Sequence, residues 1–193
     1  MKKKLLNCLL VAMVFMFTSC GYNTMVNKQE TAESAWANVE NQYQRRADLI
    51  PNLVNVVKGY AKHESSTLEA VVNARAKATS VQIDPSNMTE EDLEKFQQAQ
   101  DNISSTMSKL LAVVEAYPDL KANENFKELQ AQLEGTENRI AVERRKFNEA
   151  AQDYNRYIKS FPALIVAKIF GFHAKPYFKA QAGAETAPQV SFD

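Results

Sequence analysis

Counting from Trp36, apolar side chains return every seventh residue at Tyr43, Ile50 and Val57, and the phase runs on through Glu64 to Val71 and Ala78. A second set, three residues later in each heptad, holds Val39, Arg46, Leu53, Tyr60, Thr67 and Ala74. This spacing marks one face of a long helix that meets other helices. Around Ile50 the set widens to Leu49, Val54, Val56 and Ala61, a stripe broad enough for a helix covered on several sides. No strand-like alternation of useful length competes with it, so the chain is expected to be all-α.

The first helical stretch starts near Val26 and stays in phase to about Ser80, some 80 Å if unbroken at 1.5 Å per residue. Pro51 opposes continuity, because an interior proline removes a hydrogen bond and crowds the preceding turn. The phase passes through it unshifted, which favours a kink over a break. A bend between Gly59 and Ser66 is the alternative, and the pattern leaves both open. A loop follows over 81–88, turning at Asp84-Pro85-Ser86-Asn87. Thr89 is placed to cap a second helix, whose acidic first turn (Glu90, Glu91, Asp92) suits the helix dipole. That helix keeps Phe96, Ile103, Leu110 and Tyr117 in phase and ends before Pro118. After a loop at 118–122, Asn123 caps a third helix, carrying Phe126, Leu133, Ile140, Phe147 and Tyr154. Pro162 opens a short apolar helix that stops at Gly171.

Three lysines, Lys2 to Lys4, precede an apolar run from Leu5 to Phe17, which is short for a membrane span. Phe17-Thr18-Ser19-Cys20-Gly21 then resembles a bacterial lipobox, in which Cys20 becomes the lipidated first residue. The expected divisions are a leader at 1–19, a tether at 20–27, a helical bundle at 28–172 and a mobile tail at 173–193. Cys8 would leave with the leader and Cys20 would be acylated, so neither remains for a disulfide or a metal. Three of the 23 basic residues lie in the leader, leaving 20 against 23 acidic ones. A net charge near −3 argues against a broad nucleic-acid surface.

Chemistry is thinly signalled. Neither His63 nor His173 has a glutamate three residues before it, as carboxylate-bridged metal bundles require. Glu64, Glu115 and Glu137 form an acid/base set only if the bundle gathers them, and a ligand-binding or hydrolytic bundle with a polar pocket near Arg46, Glu64 and Glu137 is the alternative function. The plainer reading pairs them with Arg45, Arg46, Arg75, Arg139 or Arg144, and an arginine in the apolar phase at 46 needs such a partner. Phe161 to Phe172 is apolar nearly all round. It reads as a cap on the bundle end, or else as a membrane-touching or partner-binding segment. The in-phase aromatics, Trp36, Tyr43, Tyr60, Phe96, Phe147 and Tyr154, read as core.

Four longer segments resemble the LemA family of bacterial envelope proteins: QYQRRADLIPNLVNVVKGYAKHE (from Gln42), ARAKA (from Ala74), EAYPDLKANENFKELQAQLEGTENRIA (from Glu115) and RRKFNEAAQDYNRYIKSFP (from Arg144). Pro188, Val190 and Phe192 add to the likeness. On the first helix the resemblance singles out Trp36, Arg45, Arg46, Asp48, Pro51, Asn52, Glu64 and Arg75. Further on it singles out Glu115, Pro118, Glu137, Asn138, Arg144, Asn148 and Asn155. It implies an antiparallel, up-and-down four-helix bundle held at a membrane by its N-terminus, with no established catalysis, no cofactor and no metal. Its expected partners are other envelope proteins. Two departures stand out: Cys20 where many members keep an uncleaved anchor, and Phe147 where a tyrosine is usual.

Overall fold

A computed structural model describes the backbone of residues 2–179 and the side chains of residues 21–179. Helix α1, Lys2–Tyr60, carries Pro51 inside it without a break. The residues expected to form a tether, 20–27, belong to this helix. At Tyr60 the chain reverses through 61–64, and α2, Ser65–Ser80, runs back along α1. The 80 Å helix of the sequence pattern is therefore a helical hairpin. The reversal contains no residue with positive φ, so it lacks the glycine that usually announces a helix end. Apolar phase survives the turn because Ala61 and Leu68 face the same interior on either side of it. Tyr60, expected in the core, ends up 44% exposed, its hydroxyl accepting from Asn123 Nδ2 at 2.9 Å.

Helix α3, Glu90–Val114, starts with a reciprocal capping box between Thr89 and Asp92. Helix α4, Pro118–Ala122, stands where a loop was expected, with proline in its first turn and Leu120 buried. Helix α5, Glu124–Lys159, opens on the Asn123 cap, whose side chain accepts from Phe126 N–H. Helix α6, Ala163–Phe170, ends at Gly171, where φ of 74° is a conformation that favours glycine. Directions alternate. Trp36 and Arg46 of α1 meet Phe96 and Gln100 in ascending order, and Glu64, just beyond α1, meets Tyr117, just beyond α3, so α3 runs parallel to α1. Met25, Trp36 and Tyr60 meet Tyr154, Phe147 and Asn123 in descending order, so α5 runs antiparallel. Helices α1, α2, α3 and α5 thus make an up-down-up-down bundle, and all regular structure among the described residues is helical.

Helix α2 is too short to flank the lower part of α1. Residues 172–179 fill that place as an extended strap, with Lys175 and Phe178 buried. The expected tail thus packs over its first seven residues; residues 180–193, with Pro188, Val190 and Phe192, lie outside the described residues. Three apolar clusters stack along the bundle. The upper one gathers Ile50, Leu53, Val57, Ile103, Phe126 and Leu133. The middle one is aromatic, with Trp36 against Phe96 at 5.2 Å, Phe147 at 5.5 Å and Phe178 at 5.8 Å. The lower one joins Met25, Tyr154 and Ile158 to Ala163, Val166 and Ala167 of α6. Burying each large apolar side chain contributes about 1.5–3 kcal/mol. Among the described residues no helix is long and apolar enough to cross a membrane. The side chains of the 1–19 leader and of Cys20 lie outside the described residues.

Candidate functional site

Arg46 lies between the upper and middle apolar clusters, on the core face of α1, with 2% of its surface exposed. Its Nη1 donates to Glu137 Oε1 at 2.7 Å and Ser104 Oγ at 3.0 Å. Its Nη2 donates to Gln100 Oε1 at 2.6 Å and Gln100 O at 3.1 Å. One guanidinium fork thus ties α1, α3 and α5 together, and it sits 5.1 Å from the Tyr43 ring. A buried cation needs such partners, since stripping one leaves an uncompensated charge. Both terminal nitrogens face protein acceptors. Arg46 Nε, and Gln42 Oε1 one turn earlier, remain unpartnered.

The glutamates that sequence reading grouped with this arginine are dispersed. Glu137 pairs with Arg46, its side chain 42% exposed. Glu64 sits at the α1–α2 reversal, where its Oε1 accepts from the Tyr117 hydroxyl at 3.1 Å. That bond, with lesser contributions from desolvation and the carboxylate charge, holds the Tyr117 pKa above its ordinary value. Glu115 forms a surface ion pair with Lys121. No acid/base set forms: Glu137, Glu64 and Glu115 are each engaged by a different partner, Arg46, Tyr117 and Lys121. Among the described residues no cluster of His, Cys, Asp and Glu could hold a metal ion.

Pro51 and Arg75 form a unit. Proline has no N–H to give the carbonyl four residues back, which is that of Ala47. Arg75 on α2 donates its Nε–H to Ala47 O at 2.7 Å. The carbonyl orphaned by proline is satisfied from the neighbouring helix.

Asn148 and Asn155 hold the strap. Asn155 Nδ2 donates to Lys175 O at 2.7 Å and its Oδ1 accepts from Lys175 N at 2.8 Å. Asn148 repeats this with Phe178, at 3.0 and 2.9 Å. Seven helical residues rise about 10 Å and three extended residues span about the same, so the two clamps are in register. Arg144 lies over the Phe178 ring at 4.6 Å and donates to Lys179 O at 3.0 Å. The buried Lys175 ammonium donates to Glu33 Oε1 at 3.0 Å and Pro85 O at 2.6 Å. The sequence singled out Arg144, Asn148 and Asn155 but not the pairing of Asn155 with Lys175 or of Asn148 with Phe178. The repeated dipeptides Phe147-Asn148 and Tyr154-Asn155 were the available signal: a core aromatic followed each time by a side chain that mimics a peptide group. An open cleft of about 590 Å³ lies beside the strap, between 86–90 and Lys159, His173 and Lys179. Its lysines 175 and 179 are engaged by Glu33, Glu90 and Glu94.

Two surfaces remain open. On the outer face of α1, Asn38, Asn41, Arg45, Asp48, Asn52 and Asn55 are all exposed, at spacings of three and four. Pro51 and, on α5, Asn138 are exposed as well. The second surface is the outer face of α6 with Phe161 just before it, where Phe161 is 83% and Ile169 70% exposed. The cap expected from sequence accounts for the other face of that helix, which closes the lower cluster.

Residues 35–192 match a family model described as the LemA family. The chain is 28% identical to Magnetosome protein MamQ of Magnetospirillum gryphiswaldense, over 88% of its own length and 70% of that protein's. Magnetosome protein MamQ 1 of Paramagnetospirillum magneticum is also 28% identical, with coverages of 86% and 67%. Protein LemA of Metamycoplasma hominis is 23% identical, over 86% of this chain and 73% of the relative.

Proposed function

This chain belongs to the LemA family, and we propose that it is a membrane-held, non-catalytic helical bundle that docks other proteins of the bacterial envelope. The observation that carries this reading is the outer stripe of α1, Asn38 to Asn55, whose three- and four-residue spacing is what a partner helix reads. It extends about 25 Å along the helix. Four residues singled out by the family resemblance, Arg45, Asp48, Pro51 and Asn52, lie on or beside it and are exposed, so packing does not account for them. The occupied state of the Arg46 fork and the scatter of Glu64, Glu115 and Glu137 speak against a hydrolytic or ligand-binding pocket at that level. No cofactor, metal or nucleic acid enters the proposed activity.

Attachment runs through the N-terminus, by lipidation at Cys20 or by an uncleaved leader, with the bundle facing the periplasm or the exterior. Cys20→Ala should release the protein from membranes or leave an unprocessed precursor. Unchanged processing and fractionation would remove lipidation from the proposal. For docking, a photoreactive residue at Asn52 in living cells should capture a small set of envelope proteins, and Arg45→Glu should deplete them. Equal capture with and without Arg45→Glu would overturn the stripe as the interface.

A further inference from the structure

Helix α6 is apolar on both sides. Ala163, Val166 and Ala167 pack into the lower cluster, while Phe161, Leu164, Ile165, Ile169 and Phe170 are exposed. Soluble surfaces rarely leave such a contiguous patch facing water, and where they do it marks a protein or membrane contact. What covers this one is indicated by its position. The Tyr22 ring lies 5.0 Å from Phe170 and 5.6 Å from Phe172, both edge-on. Tyr22 is two residues from Cys20 and five from the end of the apolar run Leu5 to Phe17. Lipidation at Cys20 and an uncleaved leader therefore both put α6 at the bilayer.

Charge points the same way. From Tyr154 to Ala184 the sequence contains no Asp or Glu; of its basic residues Arg156, Lys175 and Lys179 pair with acidic groups elsewhere, which leaves Lys159 and Lys168 beside the apolar face. Lys159, the last residue of α5, and Lys168, in the last turn of α6, are exposed. Aliphatic and aromatic groups bordered by lysines are the composition of a helix lying in the headgroup region of an anionic membrane. Gly171 turns the chain at the helix end so that Phe172 returns to Tyr22, which fixes α6 to the foot of α1.

We infer that the exposed face of α6 is a second membrane contact, inserted into the lipid surface beside the N-terminal anchor. Two contacts fix the bundle's orientation as well as its attachment. Asn52, in the upper part of the α1 stripe, then stands about 45 Å along the helix from Tyr22, clear of the lipid. This inference rests on the N-terminal attachment proposed above.

The test uses the full-length chain, reconstituted in vesicles of phosphatidylethanolamine and phosphatidylglycerol, with a photoreactive residue at Ile165, Ile169 or Asn52. Lipid adducts at Ile165 and Ile169 about tenfold above those at Asn52 are expected, and Ile165→Glu should remove most of the adduct at Ile169. Flotation of the same samples reads attachment separately. Protein that floats without lipid adducts at α6 overturns the membrane contact and leaves the anchor standing. Protein that does not float overturns the anchor. Adducts at Ile169 to a second copy of the chain, in place of lipid, assign the face to self-association and also overturn the inference.

Discussion

Arg75 and Pro51 act on the same atom: the arginine donates at 2.7 Å to Ala47 O, the carbonyl that the proline deprives of its helical donor. They lie 24 positions apart in sequence, and the contact exists only because α2 folds back along α1. An interior proline costs about 3 kcal/mol, and here part of that cost is offset from a neighbouring helix.

Arg75→Ala should therefore destabilise the protein by about 1–3 kcal/mol, the range for an unsatisfied buried acceptor or a hydrogen bond to a charged group. In a Pro51→Ala background the residue at 51 supplies its own N–H, and the same change should cost about 1 kcal/mol less. A double-mutant cycle in denaturant measures the difference. Strict additivity would disprove the coupling.

Arg46 and Glu137 form one ion pair with unequal burial. Arg46→Ala removes the hub of three helices and strands the Gln100 acceptors, so a loss of about 3–5 kcal/mol is expected. Glu137→Gln keeps an oxygen acceptor but takes the carboxylate from a buried guanidinium, so a smaller loss of about 1–3 kcal/mol is expected. Urea midpoints of the two variants check this order.

Trp36 is the only tryptophan and is fully buried, with Phe178 stacked 5.8 Å away. Phe178→Ala should lower stability by about 3 kcal/mol and shift tryptophan emission to the red. Truncation after Phe172 removes the whole strap and should shift it further. An unchanged spectrum would mean that the strap does not cover the core.

Tyr154 links pH to stability. Burial, reinforced by the nearby Glu33 carboxylate, pushes its phenol up to about 12. A raised pKa means that the folded state favours the neutral phenol. This stabilisation is complete below pH 10, near the unfolded value, and is lost as pH rises from 10 towards 12. Unfolding midpoints should fall across that window, and less so in Tyr154→Phe. Phenolate absorbance should lose a late-titrating component in Tyr154→Phe.

Periodicity made the helices legible, because a helix in a bundle must bury one stripe, and a stripe is a sequence property. Thr89, Asn123 and Gly171 were legible for a similar reason: capping is satisfied within four residues. The reversal at 61–64 was legible only as the alternative of a bend between Gly59 and Ser66, since a heptad pattern records which face is buried and not whether the axis continues or doubles back. The roles of Asn148 and Asn155 were hidden too. Their partners lie 20 or more residues away on a segment with no helical pattern of its own.

The sequence by itself determined the all-α class, the core stripes, the caps and the site of Arg46 in an apolar phase. Those follow from local geometry and from the cost of leaving apolar groups in water. Tertiary structure decided that Arg46 meets Gln100, Ser104 and Glu137, that Arg75 answers Pro51, and that 172–179 closes the bundle. It also decided that one face of α6 stays open beside Tyr22. Each is a contact between segments distant in the chain, set by helix direction and register, which composition and spacing do not encode.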